Sequence, residues 1–376
     1  MAYVSGFGHD RSRGDRTAPW RHVDPVLAVC AAALAALGIL MVYSASKVTF
    51  GTYYLTRQGI FVVVGIALMA VFALVDYRKF QDYAWVFYGG ACLLLLAVVS
   101  PFGKNNKGAQ AWFQLGPIEL QPSEFSKICL IMGMAALLAH WRGDIGLKRL
   151  AIALGVAGVP LALIMLQPDL GTALVYIAIV VAMLLVGGVK GRHMLVLALC
   201  GLVLVTGVLR SGALAQYQQD RLTVFLDAEH NTSREGYNLN QSVAAISNGR
   251  ITGDGLFQGK QTQLGYVPEQ RTDFIFTVVG EELGFVGAVS FLVLMGIIVW
   301  RIWRTAALAR DEFGQLICVG VLAMLVFHTF ESVGMATGIM PVTGIPLPFM
   351  SYGGSAILST FIGIGLVLNV HMRRFR

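Results

Sequence analysis

The sequence predicts an all-α, polytopic membrane protein of about ten transmembrane helices, with one large extracytoplasmic loop between spans seven and eight. Three observations carry that class. Apolar residues make up 56% of the 376 residues and charged ones 13%, with a mean hydropathy of +0.68, so no sizeable soluble domain is available. Apolar stretches close to the ~20 residues that cross a bilayer as helix recur from end to end. The basic residues also alternate between connections. Arg11, Arg13, Arg16, Arg21, Arg78, Lys79, Arg142, Lys148, Arg149, Lys190, Arg192, Arg301, Arg304, Arg310, Arg373, Arg374 and Arg376 fall on one side, against only Lys47, Arg57, Lys104 and Lys107 in the short loops of the other. By the positive-inside rule both termini are cytoplasmic.

The spans fall at about 25–45, 59–75, 84–100, 123–140, 149–166, 170–188, 194–211, 273–300, 314–335 and 352–370, preceded by a tail of residues 1–24. The rest, 25–376, reads as one membrane domain. No short apolar core with a small-residue cleavage site precedes the first run, which predicts an uncleaved first span. Cys30, Cys92, Cys129, Cys200 and Cys318 lie inside apolar runs without CxxC spacing, so neither a disulfide framework nor a zinc site is indicated. The formal charge of +7 is scattered over short loops rather than gathered in a stripe, which argues against nucleic acid. No internal repeat or pair of interrupted spans of the transporter kind is evident.

The connections 101–122, 212–272 and 336–351 share the outer face and form the candidate working surface. The 212–272 loop is far longer than the ~15 residues usual for structureless connections, and it balances five bases (Arg221, Arg234, Arg250, Lys260, Arg271) against six acids (Asp220, Asp227, Glu229, Glu235, Asp254, Glu269). Within it NLNQSVAAISNGRI predicts an amphipathic helix near the interface, and GDGLFQGKQTQLGY supplies glycines where backbone could approach a ligand. The glycine spacing fits neither a P-loop nor a dinucleotide fingerprint.

That loop runs into the eighth span at Asp273. Pro268 cannot continue a helix, Glu269 and Asp273 stand one turn apart, and Thr277, Glu281 and Glu282 follow, so one face is expected to carry acids into the bilayer edge. A carboxylate near hydrocarbon costs several kcal/mol unless it is paired or faces a wet cavity, which marks it as functional. An acid in a first turn also serves the helix dipole, but Lys260, Glu269 and Arg271 beside it make a dipole role alone insufficient.

Three other constellations interrupt apolar runs. In LQPSEFSKICL, Glu124 and Lys127 stand at i, i+3 and can pair, either as a structural pair at a span entrance or as ligand contacts. In LQPDLGTA, Asp169 reads equally as part of a tight turn or as an acid pointing into a shared polar cavity. Glu331 with His328 nearby reads as a satisfied interior pair. GIMPVTGIPLPFMSYGGSA, just before the last span, can hold non-helical backbone at membrane depth if it lines a cavity; its Ser351, Tyr352 and Gly353 either contact a polar head group or cap the helix.

The segments QPSEFSK, QPDLGTA, GLFQGKQTQLGYVPEQRTDFIFTVVGEELGFVG and PLPFMSYGGSA, in this order across ten spans, resemble the shape, elongation, division and sporulation (SEDS) family, over essentially all of the chain from about residue 25. Any one motif is weak; four in order are specific. The wording of the third is closer to the RodA branch than to the FtsW branch. The resemblance implies a peptidoglycan glycosyltransferase that polymerises lipid II, an undecaprenyl-diphosphate-linked disaccharide-pentapeptide, on the outer face of the bacterial cytoplasmic membrane, in cell-wall elongation and cell shape, with a class B penicillin-binding protein as partner. It places the essential acid on Asp273 and the acid–base pair on Glu124 and Lys127, with Ser126 where many relatives carry alanine.

Joining two sugars calls for a base near the acceptor hydroxyl and a positive environment for the departing diphosphate. Asp273 is the candidate base. An equally open role for it is to hold a divalent cation, magnesium or manganese, that neutralises the diphosphate; no organic cofactor is expected. Lys127, Arg221, Lys260 and Arg271 are the candidates for the diphosphate, with Glu124 fixing Lys127 so that its ammonium faces the cavity, and Asp169, Glu269 and Ser351 complete the substrate-binding set. Ten spans with acids at a cavity mouth suit a lipid II flippase or transporter nearly as well, and a scaffold that merely positions the penicillin-binding protein is a third reading.

Overall fold

The computed structural model describes residues 22–101, 103–106, 109–116, 118–141, 143, 145–211 and 234–374. All ten expected spans are helices: α1 (Pro25–Phe50), α2 (Tyr53–Leu74), α4 (Ala84–Val99), α5 (Pro122–Trp141), α6 (Leu147–Met165), α7 (Leu170–Val186), α8 (Gly191–Ser211), α11 (Ile275–Ala307), α12 (Glu312–Ala336) and α13 (Gly354–Arg373). Among the described residues seven are long and apolar enough to cross a bilayer, and the apolar stretches Ala84–Val99, Leu170–Val186 and Gly191–Val203 are shorter. Short helices α3 (Tyr77–Asp82), α9 (Arg234–Asn248) and α10 (Lys260–Leu264) lie in the connections. The protein is a multi-pass helical membrane protein.

Local chemistry sets the helix starts. Asp24 caps α1 through the Leu27 amide at 3.2 Å, with Pro25 in the first turn, and Asp311 caps α12 through the Gly314 amide at 2.7 Å. The most buried helix is α13, which packs chiefly on α2 and also on α5 and α12; α1 packs on α11, and α12 on α5 and α7.

Two features depart from expectation. The 101–122 connection folds as a small antiparallel meander, β1 (Lys104–Asn106), β2 (Ala109–Leu115) and β3 (Ile118–Leu120), rather than as loop. Helix α11 is interrupted at Gly284, with φ 64° and ψ −161°. A break inside an apolar helix leaves backbone groups that lipid cannot satisfy, and here the preceding loop bonds them. Phe285 and Val286 donate to the Arg250 and Ile251 carbonyls at 2.9 and 3.1 Å, and the Asp254 and Gly255 amides donate to the Glu281 and Glu282 carbonyls at 3.0 Å each. The start of the glycine-rich stretch therefore lies directly against α11.

Helix α9 matches the amphipathic segment and is folded onto the bundle. It packs on α11 and α12, where Ser242 bonds Thr277 Oγ1 at 2.5 Å and the Ala336 carbonyl at 2.8 Å. All five cysteines are free; Cys30 and Cys318 are buried and Cys200 is exposed. At one end of the bundle Asp24 is bonded by Arg301 at 2.7 Å, from the far end of α11, close to His371 of α13. The start of α1 and the end of α13 thus share that side, opposite the meander, the loop before α11 and the non-helical strap of residues 337–353.

Candidate active site

A cavity of about 710 Å³ opens where the meander, the loop before α11 and the strap meet. Its walls bring together Glu124 from α5, Asp169 from α7, and Glu269, Arg271 and Asp273 from the turn before α11. These sites lie up to about 150 residues apart in sequence, and the fold places them around one space.

Asp273 is half-buried and precedes α11 rather than belonging to it. The Thr272, Asp273 and Phe274 amides all converge on the Glu269 carbonyl at 3.1–3.3 Å, and Glu269 takes φ 55°, a left-handed conformation that closes the turn. Ser351 fastens this turn to the strap: its hydroxyl accepts from the Leu347 amide at 2.8 Å and donates to the Thr272 carbonyl at 2.5 Å, while the Tyr352 amide bonds the Arg271 carbonyl at 2.8 Å. Ser351 is buried and does not line the cavity. On the strap, Gly344 has φ 77°, and a Cβ there would stand 3.3 Å from Asp273 Oδ2.

The expected file of acids down α11 does not form a cavity face. Glu281 takes the Gln261 and Thr262 amides at 2.6 and 2.9 Å and the Thr262 hydroxyl at 2.6 Å; Glu282 takes the Ser44 hydroxyl at 2.5 Å and the Phe257 amide at 3.1 Å. Both are fully buried and hold the loop to the bundle. Thr277 is likewise spent on Ser242.

Glu124 and Lys127 do pair, at 2.7 Å, and both are almost wholly buried. The second Glu124 oxygen accepts from Ser359 at 2.9 Å. Lys127 Nζ also lies 3.0 Å from His328 Nε2, and His328 Nδ1 lies 3.2 Å from the Pro346 carbonyl. Glu124 and His328 reach the cavity, whereas Lys127 sits behind them, so the pair does not turn its ammonium inward as expected. His328 and Glu331 do not pair with each other either: Glu331 accepts from the Thr343 hydroxyl at 3.0 Å.

Asp169 answers to both of its readings. It caps α7 through the Thr172 amide and hydroxyl at 3.0 and 2.7 Å, receives Gln121 Nε2 at 3.3 Å, and faces the cavity. Lys260, at the start of α10, is exposed and lies outside the cavity lining, and Arg221 lies outside the described residues. The guanidiniums in the lining are Arg271, over the Tyr54 and Phe50 rings at 4.6 and 5.2 Å, and Arg57, over Tyr53 at 4.5 Å. Stacking on aromatic faces holds them in place at little entropic cost. Burial pushes the Tyr352 phenol above its ordinary range, opposed by its bond to Arg57, so it stays a proton donor at the rim.

Arg57 is a lining residue to which the sequence motifs give no site role, and His328, expected from the sequence to be an interior partner of Glu331, reaches the cavity instead. The signals were available: Arg57 is one of few bases in the short outer loops, and His328 is a lone imidazole within an apolar span. Among the described residues no group of three His, Cys, Asp or Glu is placed to hold a metal ion, so a closed protein cage is not built. Magnesium is usually held by one or two carboxylates together with substrate phosphates and water, and Asp273 is a carboxylate in the cavity wall.

A family model described as "Cell cycle protein", FTSW_RODA_SPOVE, matches residues 25–375. The chain belongs to the FtsW/RodA/SpoVE family. It is 36% identical over 359 residues to the probable peptidoglycan glycosyltransferase FtsW of Geobacter metallireducens, covering 93% of this chain and 95% of that protein. It is 34% identical over 353 residues to the peptidoglycan glycosyltransferase MrdB of Escherichia coli K12, covering 94% of each. Its fold matches a chain of a peptidoglycan synthase complex described as coordinating polymerization and crosslinking, with TM-score 0.82 and 33% identity over 94% of this chain and 99% of that one. It also matches the rod shape determining protein RodA of Thermus thermophilus, with TM-score 0.72 and 31% identity over 95% and 99%. RodA and the matching chain of the peptidoglycan synthase complex therefore share this architecture.

Proposed function

We propose that this protein is a peptidoglycan glycosyltransferase that polymerises lipid II into glycan strands at the outer face of the cytoplasmic membrane, serving cell-wall elongation and cell shape. The relatives named for that activity support the reading. The observation that carries it is the single cavity in which Asp273 stands with Glu124, Asp169 and Glu269 beside two aromatic-backed guanidiniums, Arg57 and Arg271.

Asp273 accepts the proton of the acceptor hydroxyl as that oxygen attacks the anomeric carbon of the donor. The bond from that carbon to the diphosphate breaks on the opposite face, so an α-linked donor gives a β-linked product without a covalent enzyme intermediate. Arg271 and Arg57 meet the departing undecaprenyl diphosphate with planar, multidentate donors. Glu124 and Asp169 present oxygens to sugar hydroxyls, each held by bonds of its own. Asp273 is also the residue that would hold magnesium or manganese; such an ion supplies neutralisation of diphosphate charge.

A class B penicillin-binding protein is the partner this reading names, supported by the match to a synthase complex that couples polymerization to crosslinking. Both termini are cytoplasmic, supported by the shared side of the start of α1 and the end of α13 and by the positive-inside distribution of basic residues in the sequence.

The test is Asp273→Asn in the purified full chain with its partner, supplied with lipid II in detergent. Loss of a positioned general base is expected to lower polymer formation about 10²- to 10⁴-fold. Undiminished synthesis would remove Asp273 from the chemistry. Because detergent leaves no bilayer to cross, polymer from the parent protein separates a polymerase from a flippase.

A further inference from the structure

The strap over the active site carries no regular secondary structure between Pro341 and Pro346, yet it forms the wall against which Asp273 stands. Something other than a backbone ladder must fix it. Two buried side chains of α12, three residues apart and so on one helix face, reach it at both ends of its critical turn. Glu331 holds the Thr343 hydroxyl at 3.0 Å and His328 meets the Pro346 carbonyl at 3.2 Å. Between these two fastenings lie Gly344, facing the Asp273 carboxylate, and Ile345. From below, the strap lies flat on the first turn of α7, where a Cβ on Gly171 would come within 3.0 Å of the Thr343 carbonyl.

We propose that His328 and Glu331 are positioning residues for the polymerisation reaction: they fasten the Thr343–Pro346 strap against Asp273 and, through Lys127, tie the same strap to Glu124. The proposal rests on the glycosyltransferase reading above. His328 suits the task because its two nitrogens do different things. Nδ1 faces a carbonyl and so carries the proton it donates, which leaves Nε2 to accept from the Lys127 ammonium. One imidazole thereby sets the height of the strap and the place of the lysine that holds Glu124 at 2.7 Å. Glu331 sets the other end. Neither residue needs to touch substrate.

The experiment measures polymer formation from lipid II by the detergent-purified full chain with its partner, as kcat and KM, for H328A, E331A, E331Q, T343V, T343S and the double variant E331A/T343V, with D273N alongside. Misplacing a catalytic group by a fraction of its working geometry costs on the order of ten- to a hundredfold in turnover, so H328A and E331A are expected to lower kcat by that much with KM little changed. E331Q keeps an oxygen for the Thr343 hydroxyl and T343S keeps the hydroxyl, so both are expected to recover most of the rate. The double variant is expected to fall no further than E331A alone, because both changes cut one fastening. If H328A and E331A turn over like the parent while D273N is inactive, the positioning role is wrong and the glycosyltransferase reading stands. If E331Q is no better than E331A and both lose rate only in step with a lower unfolding temperature, Glu331 is merely structural and the proposal fails. If D273N itself polymerises like the parent, Asp273 leaves the chemistry and the positioning proposal falls with it, while the glycosyltransferase reading stands; that reading falls if the parent makes no polymer.

Discussion

Glu124 and Lys127 show why a charged pair inside a membrane protein is conditional. Each satisfies the other at 2.7 Å, with Ser359 and His328 taking up the remaining capacity, at sites with almost no exposure. Removing one partner of such a pair costs about 3–5 kcal/mol, because the other is left charged and buried. E124Q and K127M are each expected to lower the unfolding temperature in detergent, and the double variant E124Q/K127M by less than the sum. Additive losses would show that the two charges do not depend on each other. At this scale much of the site is legible in the sequence, since Asp273, Glu124 and Asp169 are acids set in or beside apolar runs and all three reach the cavity. Roles assigned by adjacency alone fare less well. Glu281 and Glu282 have the same sequence signature as Asp273, but nearby backbone amides and hydroxyls claim them. Which acid stays open to the cavity depends on the path of a loop that periodicity does not describe.

Helix boundaries follow hydrophobic runs closely, and every expected span is present as a helix. The elements that position the chemistry are those with the weakest pattern. The meander between Lys104 and Leu120 has two strands of three residues, too short for alternation to register, and one of seven, AQAWFQL, whose alternation is broken at Trp112, yet it supplies Trp112 and Glu119 to the cavity. The interruption of α11 is hidden for another reason: a glycine in an apolar helix is ordinary until its dihedrals are known. At Gly284 the φ of 64° and ψ of −161° lie in a region essentially reserved for glycine, and a Cβ would stand 2.7 and 2.8 Å from the Ile251 and Gly249 carbonyl oxygens. G284A is therefore expected to cost at least ~1–3 kcal/mol, visible as a lower unfolding temperature, and to loosen the 249–255 loop, visible as faster amide hydrogen exchange there. An unchanged exchange pattern would mean the loop is held without the break.

Across the whole molecule, polar groups gather at the two ends of an apolar bundle. One end holds the cavity; the other is tied by Asp24, which is 1% exposed and bonded by Arg301 through both Nε and Nη2 at 2.7 Å, joining the first, eighth and last spans. R301A takes the guanidinium from a buried carboxylate that keeps the Leu27 amide and the more distant His371, and is expected to cost about 3–5 kcal/mol, with R301K intermediate, as read by the folded fraction surviving mild heating in detergent. Equal survival of all three proteins would show the tie to be dispensable. The interrupted eighth span also bears on how the chain is made. Residues 249–255 leave the ribosome before α11 does, yet the amides of Phe285 and Val286 find their acceptors only on that earlier segment. Partition into lipid cannot finish the eighth helix. Completing it takes a docking step, in which the 249–255 stretch folds against the break and supplies the carbonyls that the helix itself cannot.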